Sequence, residues 1–378
     1  MKILHILPQG EVGGAERITL DWIRHSQGEH AAVVGGEGRL RALLERHGCR
    51  VHTVRPWRPR NVWSLVPEVA AIVEREQVDL LQSSNYDGHL LGGLLRWRTR
   101  RPEIWFNHGP IERVAWSRHS RFLPADALLV PTRYIEREQR RQGFWARRII
   151  VHQYGIDTKV FAADPEARSR IRRQLALTDE VCIAMIARFD PGKGQALLVS
   201  ALQEVGRRRP DLRFRLVLVG GTLRLQEAHA YEQTVRAQVE HSALASITTF
   251  AGHAEDVTGY LNAADIVVVA STAAEGLCLS LLEGMAMQKP TVAPNEGGPM
   301  EVVRDGRDGF LFPPRDSHAL ARRLETTLDG LVSDRARLLA LGAEARQTVE
   351  ARYDVRKSAQ RLDEIYRRTI NRNAGSAG

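Results

Sequence analysis

Short β-branched apolar runs alternate with helical segments along almost all of this 378-residue chain, in two successive series. Residues 2–7 read as a buried strand stopped by Pro8. Further strands are expected at 31–34, 51–54, 78–82, 104–107, 127–130 and 149–151, with helices at 37–48, 64–76, 88–97 and 133–142. The first series ends around Tyr154-Gly155-Ile156-Asp157, a charged Ala/Arg-rich stretch follows (Asp164 to Leu177), and a second series opens with Val181 to Ala187. It continues with strands near 215–219, 247–250, 265–270, 291–293 and 309–312. Strands separated by helices pair in parallel, because the helix is the crossover that brings the chain back to the same edge. The expected fold class is therefore α/β with doubly wound parallel sheets. A chain of this length exceeds one ordinary core, so two domains are expected: 1–160 and 161–354, with the boundary inside 158–180. The final charged helix, from residue 355 to about 370, has no evident place in the second sheet and is expected to cross back and brace the first domain. The tail 371–378 is expected to be disordered.

Composition narrows the function classes. A hydrophobic content of 43% with 26% charged residues is that of a well-packed soluble protein. Cys49, Cys182 and Cys278 lie far apart with no metal-ligand spacing, which reads as a reducing compartment and no structural zinc. The first apolar run is too short for a signal peptide, and no run approaches the roughly 18 apolar residues that span a bilayer. A cytoplasmic protein, peripheral at the inner face of a membrane at most, is expected. The net charge of +9 is uneven: residues 1–157 hold 24 basic and 17 acidic side chains (+7), leaving 30 and 28 (+2) for the rest. Dense spots at Arg96-Trp97-Arg98-Thr99-Arg100-Arg101 and from Arg137 to Arg148, with Trp97 and Trp145 beside them, make an anionic membrane surface a candidate partner. Of the 54 basic residues 49 are arginine, so plain surface solvation in an arginine-rich chain is the competing explanation. No nucleic-acid recognition module is visible, and nucleic acid is not expected as a partner.

The chemistry concentrates where strands end. Glu275-Gly276-Leu277-Cys278-Leu279-Ser280-Leu281-Leu282-Glu283 leaves the strand 266–270 and enters a helix opening at Leu279-Ser280, with Glu283 about two turns in. Such a helix start offers unpaired N–H groups and the positive end of its dipole to a phosphate. Glu275 and Glu283 flanking it suit sugar hydroxyls rather than the phosphate itself, and the combination describes a nucleotide sugar. An isolated pair of that spacing is ordinarily a helix cap and a solvated charge; its setting, with Gly297-Gly298-Pro299-Met300-Glu301 after the next strand, favours the site. The strand 181–187 delivers Arg188-Phe189-Asp190-Pro191-Gly192-Lys193-Gly194, whose fork and point charge can clamp a diphosphate. The bland alternative there is a salt-bridged loop. Gly220-Gly221 and Gly252-His253 are expected at the same sheet end. In the first series, Gly10-Glu11-Val12-Gly13-Gly14-Ala15-Glu16 forms a glycine-rich strand-to-helix turn, and His108 follows the strand 104–107, ahead of Gly109-Pro110, where such sheets place ligands.

Taken together, Arg188…Lys193-Gly194, Gly220, Gly252, Glu275-Gly276…Glu283, Lys289-Pro290, Gly297-Gly298 and Glu301 resemble the signature of the family 4 retaining glycosyltransferases. Gly13-Gly14-Ala15-Glu16, His108-Gly109 and Gly155-Ile156-Asp157 resemble that family's first domain. The resemblance spans nearly the whole chain. It implies a GT-B fold of two facing Rossmann-like domains, the first mainly for acceptor and the second mainly for donor, with helix 355–370 returning to the first. It also implies roles. Arg188 and Lys193 neutralise the departing nucleoside diphosphate, Glu283 holds the ribose hydroxyls, and the amides around Leu279 and Ser280 hold the phosphate. Glu275, with the backbone of Gly276, Leu277 and Cys278, binds the donor sugar; His108 reaches a donor hydroxyl. Gly13 and Gly14 close over the diphosphate, Gly220 lies in the nucleotide site, and His253 contacts the base, chiefly through its backbone. The family often carries Gly-Phe-Gly after the first glutamate, whereas Gly276-Leu277-Cys278 stands here, and the bulk of Cys278 bears on which sugar fits. Asn107 before His108 is also not the family's commonest residue.

The function so implied is retaining, metal-independent transfer of a hexose-type sugar from a nucleoside-diphosphate sugar to a hydroxyl, with a UDP-sugar favoured over GDP-mannose. The acceptor class favoured by the basic first half is a lipid-linked or lipopolysaccharide and cell-surface glycan precursor. No cofactor is expected: no Asp-x-Asp stands in the chain to hold a divalent metal, and Arg188 and Lys193 can take its place. A nucleotide-sugar 2-epimerase of the same architecture and a non-catalytic basic surface-binding protein are the alternatives; the intact Arg188, Lys193, Glu275 and Glu283 speak against the latter.

Overall fold

The computed structural model describes residues 1–109, 122–143, 146, 148–222 and 226–375. Pro110 and the Trp145 and Arg147 of the second basic spot lie outside them, as do residues 376–378. The chain divides into two compact units, Met1–Gly155 with Asp354–Gly378, and Ile156–Tyr353.

The first unit is built on a seven-stranded sheet in the order β3-β2-β1-β4-β5-β6-β7. Its strands are β1 (Lys2–Leu7), β2 (Glu29–Gly35), β3 (Arg50–Val54), β4 (Leu80–Ser84), β5 (Glu103–Phe106), β6 (Ala127–Val130) and β7 (Ile149–Val151). All neighbours pair in parallel, from Ala31 against Arg50 at one edge to Val130 against Val151 at the other. Helices cover both faces, so β1 and β4 are buried along nearly their whole length; β1 is apolar apart from Lys2 and His5, while β4 buries the polar Gln82, Ser83 and Ser84 after its two leucines. The helix Gly14–His25 turns Ile18, Trp22 and Ile23 inward at the spacing of one helical stripe.

The chain's last helix, Val355–Gly375, belongs to this first unit. Its Ala359, Leu362 and Tyr366 are buried, and polar bonds fix its register. The Trp22 indole N–H reaches Ser358 Oγ at 3.4 Å, and Asp363 accepts from Ser26 Oγ at 2.6 Å and from the Gln27 N–H at 2.9 Å. The helix runs through Asn371 to Gly375, so that part of the expected tail is ordered: Asn373 donates to the Arg100 carbonyl at 3.2 Å.

The second unit has a six-stranded parallel sheet in the order β10-β9-β8-β11-β12-β13. Its strands are β8 (Val181–Ile186), β9 (Phe214–Val219), β10 (Thr248–Gly252), β11 (Ile266–Val268), β12 (Thr291–Pro294) and β13 (Phe310–Phe312). Helices including Gln195–Arg208 and Ser317–Ser333 bury Leu198, Leu202, Leu320 and Leu324 against it.

The boundary lies earlier than the 158–180 expected from sequence, because Ile156 already belongs to the second unit. The charged stretch 164–177, read from sequence as a bridge, contains a helix, Pro165–Gln174, capped by the Asp164 side chain, which accepts from the Ala167 N–H at 2.9 Å. It is held by polar contacts: Arg168 reaches the carbonyls of Asn262, Ala263 and Ala264, and Arg168 and Arg172 share the Asp265 carboxylate at 2.6 and 3.0 Å. Among the described residues, no helix is long and apolar enough to cross a membrane.

Candidate functional site

In an open parallel sheet, ligands gather at the carboxyl ends of the strands where the strand order reverses. In the second unit that point lies between β8 and β11, and these two strands deliver the two sequence motifs. After β8, the Asp190 side chain caps the short turn Pro191–Lys193 by accepting from the Gly192 N–H at 2.8 Å. Gly194 follows at φ 77°, and a Cβ there would stand 2.0 Å from the Ala270 carbonyl oxygen on the neighbouring loop. Only glycine lets the two loops approach so closely. After β11, the Thr272 N–H donates to the Gly192 carbonyl at 3.0 Å, and the Thr272 hydroxyl to that of Pro191 at 2.9 Å.

This stitching brings Lys193 and Glu275 together. Lys193 Nζ lies 2.5 Å from Glu275 Oε1, and Ser271 Oγ donates to the same oxygen at 2.7 Å. Burial pushes the Lys193 ammonium toward deprotonation, but the charge of Glu275 and the hydrogen bond that Lys193 donates to it outweigh burial, and the net shift is upward. Lys193 is thus a fixed cation. Arg188 stands half-exposed, 3.3 Å from Asp190, and its carbonyl accepts from the buried Gln195 side chain at 2.8 Å. The salt-bridged loop considered from sequence is therefore real for both cations, and for Lys193 the partner is the other motif's glutamate.

The helix Leu279–Ala286 opens where the sequence places it, with Cys278 as its N-cap. Glu275 does not cap it. Glu283 is the fifth residue of this helix, little more than one turn in rather than two, and it is buried at 2% exposure, which removes the solvated-charge explanation. Cys278 is buried beside Ser280, Sγ to Oγ 3.3 Å; burial first and the Glu275 charge second push its thiol up to about 11, so it is a neutral, bulky wall. Gly276 and Leu277 are buried next to it. Gly220, at φ 151°, packs so tightly that a Cβ would meet the Ala187 carbonyl at 1.9 Å, and its N–H donates to the Gly252 carbonyl at 2.8 Å. The loops after β8, β9 and β10 are thereby one surface, on which His253 is exposed.

Gly13, Gly14 and His108 lie in the first unit, at the carboxyl ends of β1 and β5. Gly13 caps the helix Gly14–His25, and the buried Glu16 folds back to accept from the Gly13 N–H at 3.0 Å. The conspicuous glutamate of Gly13-Gly14-Ala15-Glu16 is therefore a capping residue. The His108 ring packs edge-on to Phe106 at 4.2 Å between centroids and lies 6.5 Å from Trp22 and 6.3 Å from Tyr154. Both ring nitrogens are buried without a hydrogen-bond partner among the described residues. Burial lowers the imidazole to about 3, so it is neutral at physiological pH and can trade a hydrogen bond with a hydroxyl.

Sequence reasoning missed Ser271 and Gln195, and gave no role to Asp190 although it stands inside the Arg188–Gly194 motif; these three orient the charged pair and its loop, and Ser271 follows closely on the apolar run of β11. Among the described residues no group of three or more His, Cys, Asp or Glu side chains stands together at metal-binding geometry.

The chain has known relatives. The profile of the family described as Glycosyltransferase Family 4 matches residues 12–160, and that of Glycosyl transferases group 1 matches residues 180–330. A GDP-mannose-dependent alpha-(1-6)-phosphatidylinositol monomannoside mannosyltransferase of Mycolicibacterium smegmatis is 30% identical over 293 residues, 73% of this chain and 72% of that one. The chain belongs to the family 4, group 1 glycosyltransferases. A second relative of this glycosyltransferase, the lipopolysaccharide 1,2-N-acetylglucosaminetransferase of Salmonella typhimurium, is 25% identical over 68% of this chain and 67% of its own. Anabaena HepE, crystallised with UDP-glucose, superposes with a TM-score of 0.85 at 24% identity over 97% of this chain and 99% of its own, which establishes the GT-B fold.

Proposed function

We propose that this glycosyltransferase moves a hexose-type sugar, with retention at the anomeric carbon and without a metal, from a nucleoside-diphosphate sugar to a hydroxyl on a lipid-linked or cell-surface glycan precursor. The observation that carries the reading is the Lys193–Glu275 contact at the β8/β11 switch point, immediately before the amino end of the helix Leu279–Ala286. A fixed cation beside a carboxylate and a helix start provides one group for a leaving diphosphate, one for sugar hydroxyls and amides for phosphate oxygens.

Cleavage of the bond between the anomeric carbon and the phosphate oxygen leaves its electron pair on the diphosphate. Lys193 and Arg188 stabilise that charge; Glu275 holds the sugar and Glu283 the ribose. The acceptor oxygen bonds to the same face of the anomeric carbon, and its proton passes to the departing phosphate oxygen. A trapped covalent sugar on any carboxylate would overturn this front-face route. The family roles of Gly13, Gly14, His108, Gly220 and His253 belong to the same proposal.

A UDP-sugar is the first donor reading and GDP-mannose the second, the latter supported by the name of the mycobacterial relative. Thermal stabilisation by a panel of nucleoside diphosphates and their sugars, in chelator, tests both donor and metal independence. A ligand at about 100 times its dissociation constant adds roughly 2.7 kcal/mol. One responding series names the base; a protein that responds only with divalent metal loses the metal-independent reading. Product analysis without acceptor separates transfer from 2-epimerisation, which alone would consume donor to give another nucleotide sugar. Arg96 is taken up by a fork onto Asp126 at 2.7 and 2.9 Å, but Trp97, 75% exposed beside the exposed Arg98, supports a peripheral, inner-face location, and cosedimentation with anionic vesicles at physiological salt tests it.

A further inference from the structure

β13 ends at Phe312 and is followed by Pro313, Pro314 and Arg315. Arg315 takes φ 62°, the left-handed region that a side chain disfavours. Asp316 then caps the next helix by accepting from the Ala319 N–H at 2.9 Å, so the turn's path is set on both sides. A glycine would take this backbone without strain, so what arginine adds at 315 is its side chain.

That side chain runs back along the carboxyl edge of the sheet. Its Nη1 and Nη2 donate to Glu296 Oε2 and Oε1 at 2.7 and 3.0 Å, a fork on one carboxylate, and Nη1 also donates to the Thr272 carbonyl at 3.0 Å. One guanidinium thus ties together the loops after β11, β12 and β13. Each tie leads inward. Thr272 holds the Pro191–Gly192 turn that presents Lys193, through its own N–H and hydroxyl. Glu296 precedes Gly297-Gly298, and the Gly298 N–H donates to the Glu275 carbonyl at 2.9 Å. The loops of both partners of the central ion pair are therefore tied, through Thr272 on one side and Glu296 on the other, to the same residue.

We propose that Arg315 is a positioning residue for donor use, bracing the loops of Lys193 and Glu275 so that the pair meets the leaving diphosphate in one geometry. The proposal rests on the donor-site reading above. An isolated half-exposed ion pair would contribute little, but a planar fork shared between a carboxylate and a carbonyl on different loops is a geometric constraint that lysine cannot reproduce.

The test compares Arg315→Gly, Arg315→Lys and wild type. In Arg315→Gly the relieved backbone offsets the lost bonds, so the melting temperature stays within a few degrees of wild type. Amide exchange at Thr272 and Ala273, whose N–H groups bond Gly192, is expected to quicken on the order of tenfold, and kcat on donor to fall about tenfold or more with KM changed less. Arg315→Lys should recover part of kcat, because a cation still reaches one of the partners. Unchanged exchange, or quickened exchange with wild-type kcat, overturns the proposal. The exchange comparison needs no substrate: a wild-type protein silent toward every donor would refute the proposed function, while exchange alone still decides whether Arg315 braces the loops.

Discussion

Replacing Lys193 by alanine removes the cation that the structure locks against Glu275. Its Nζ sits 2.5 Å from Glu275, and the two side chains are 27% and 18% exposed. A unit charge about 4 Å from another at an effective dielectric near 20 contributes roughly 4 kcal/mol. Because Glu275 already offsets part of that field, about 3 kcal/mol is a fair share for charge developing on the diphosphate, a loss on the order of 100-fold in rate. The effect belongs in kcat, since the charge grows only as the bond breaks. Stability should fall modestly. Glu275 keeps its bond from Ser271 but loses its counter-charge, which after discounting for solvent costs about 1–2 kcal/mol, or roughly 2–8 °C for a unit of this size. Pairing the change with Glu275→Gln should restore the melting temperature and leave kcat low. Single-turnover consumption of the donor, beside a melting curve for each variant, reads both quantities. A Lys193→Ala protein that stays folded and turns over within about threefold of wild type refutes the charge argument.

Glu283→Gln keeps the buried shape but removes a charged acceptor, so nucleoside diphosphate should bind on the order of 10- to 100-fold more weakly by calorimetry, without loss of fold. Gly194→Ala places a Cβ 2.0 Å from the Ala270 oxygen at φ 77°, and is expected to cost more than about 2 kcal/mol in chemical denaturation while Gly143→Ala, with open space around it, costs less. His108 and His152 are each lowered to about 3 by burial, and for His152 also by Arg361. The unfolded chain binds their protons first, so stability should fall as pH drops from about 6.5 toward about 3, by up to roughly 1.4 kcal/mol per unit for each, with no activity pKa from His108 between 5 and 8. His152→Phe should flatten that slope by about one proton.

The sheets were legible because most inner strands are buried on both faces and carry an apolar core, as in β1 and β6, which match the expected residues end to end, as does the edge strand β7; β4, with only two leucines before Gln82, Ser83 and Ser84, was placed two residues early at both ends. The helix Pro165–Gln174 escaped for the opposite reason. It buries only Ala167 and is anchored by arginines on carbonyls, and apolar periodicity does not register such an anchor. The motif positions of the donor site were likewise visible, but the pairing of Lys193 with Glu275 joins residues 82 apart and depends on two loops being stitched through Thr272. Arg315 carries no motif at all; its role rests on a backbone angle and a side-chain direction. The neutrality of His108 depends on Trp22 and Tyr154, which reach it from distant parts of the chain.

The helix Val355–Gly375 also constrains how the protein is made. Trp22, Ser26 and Gln27 are translated more than 300 residues before their partners Ser358 and Asp363. At about 5–20 residues per second, the intervening chain of more than 300 residues takes on the order of 15–60 s to synthesise. For that interval the nascent first unit presents an apolar groove awaiting a helix that does not yet exist, while the second unit is complete before the helix appears. A chaperone binding site during synthesis, and a first unit left open by any truncation that removes Ser358 and Asp363, follow from the same connection.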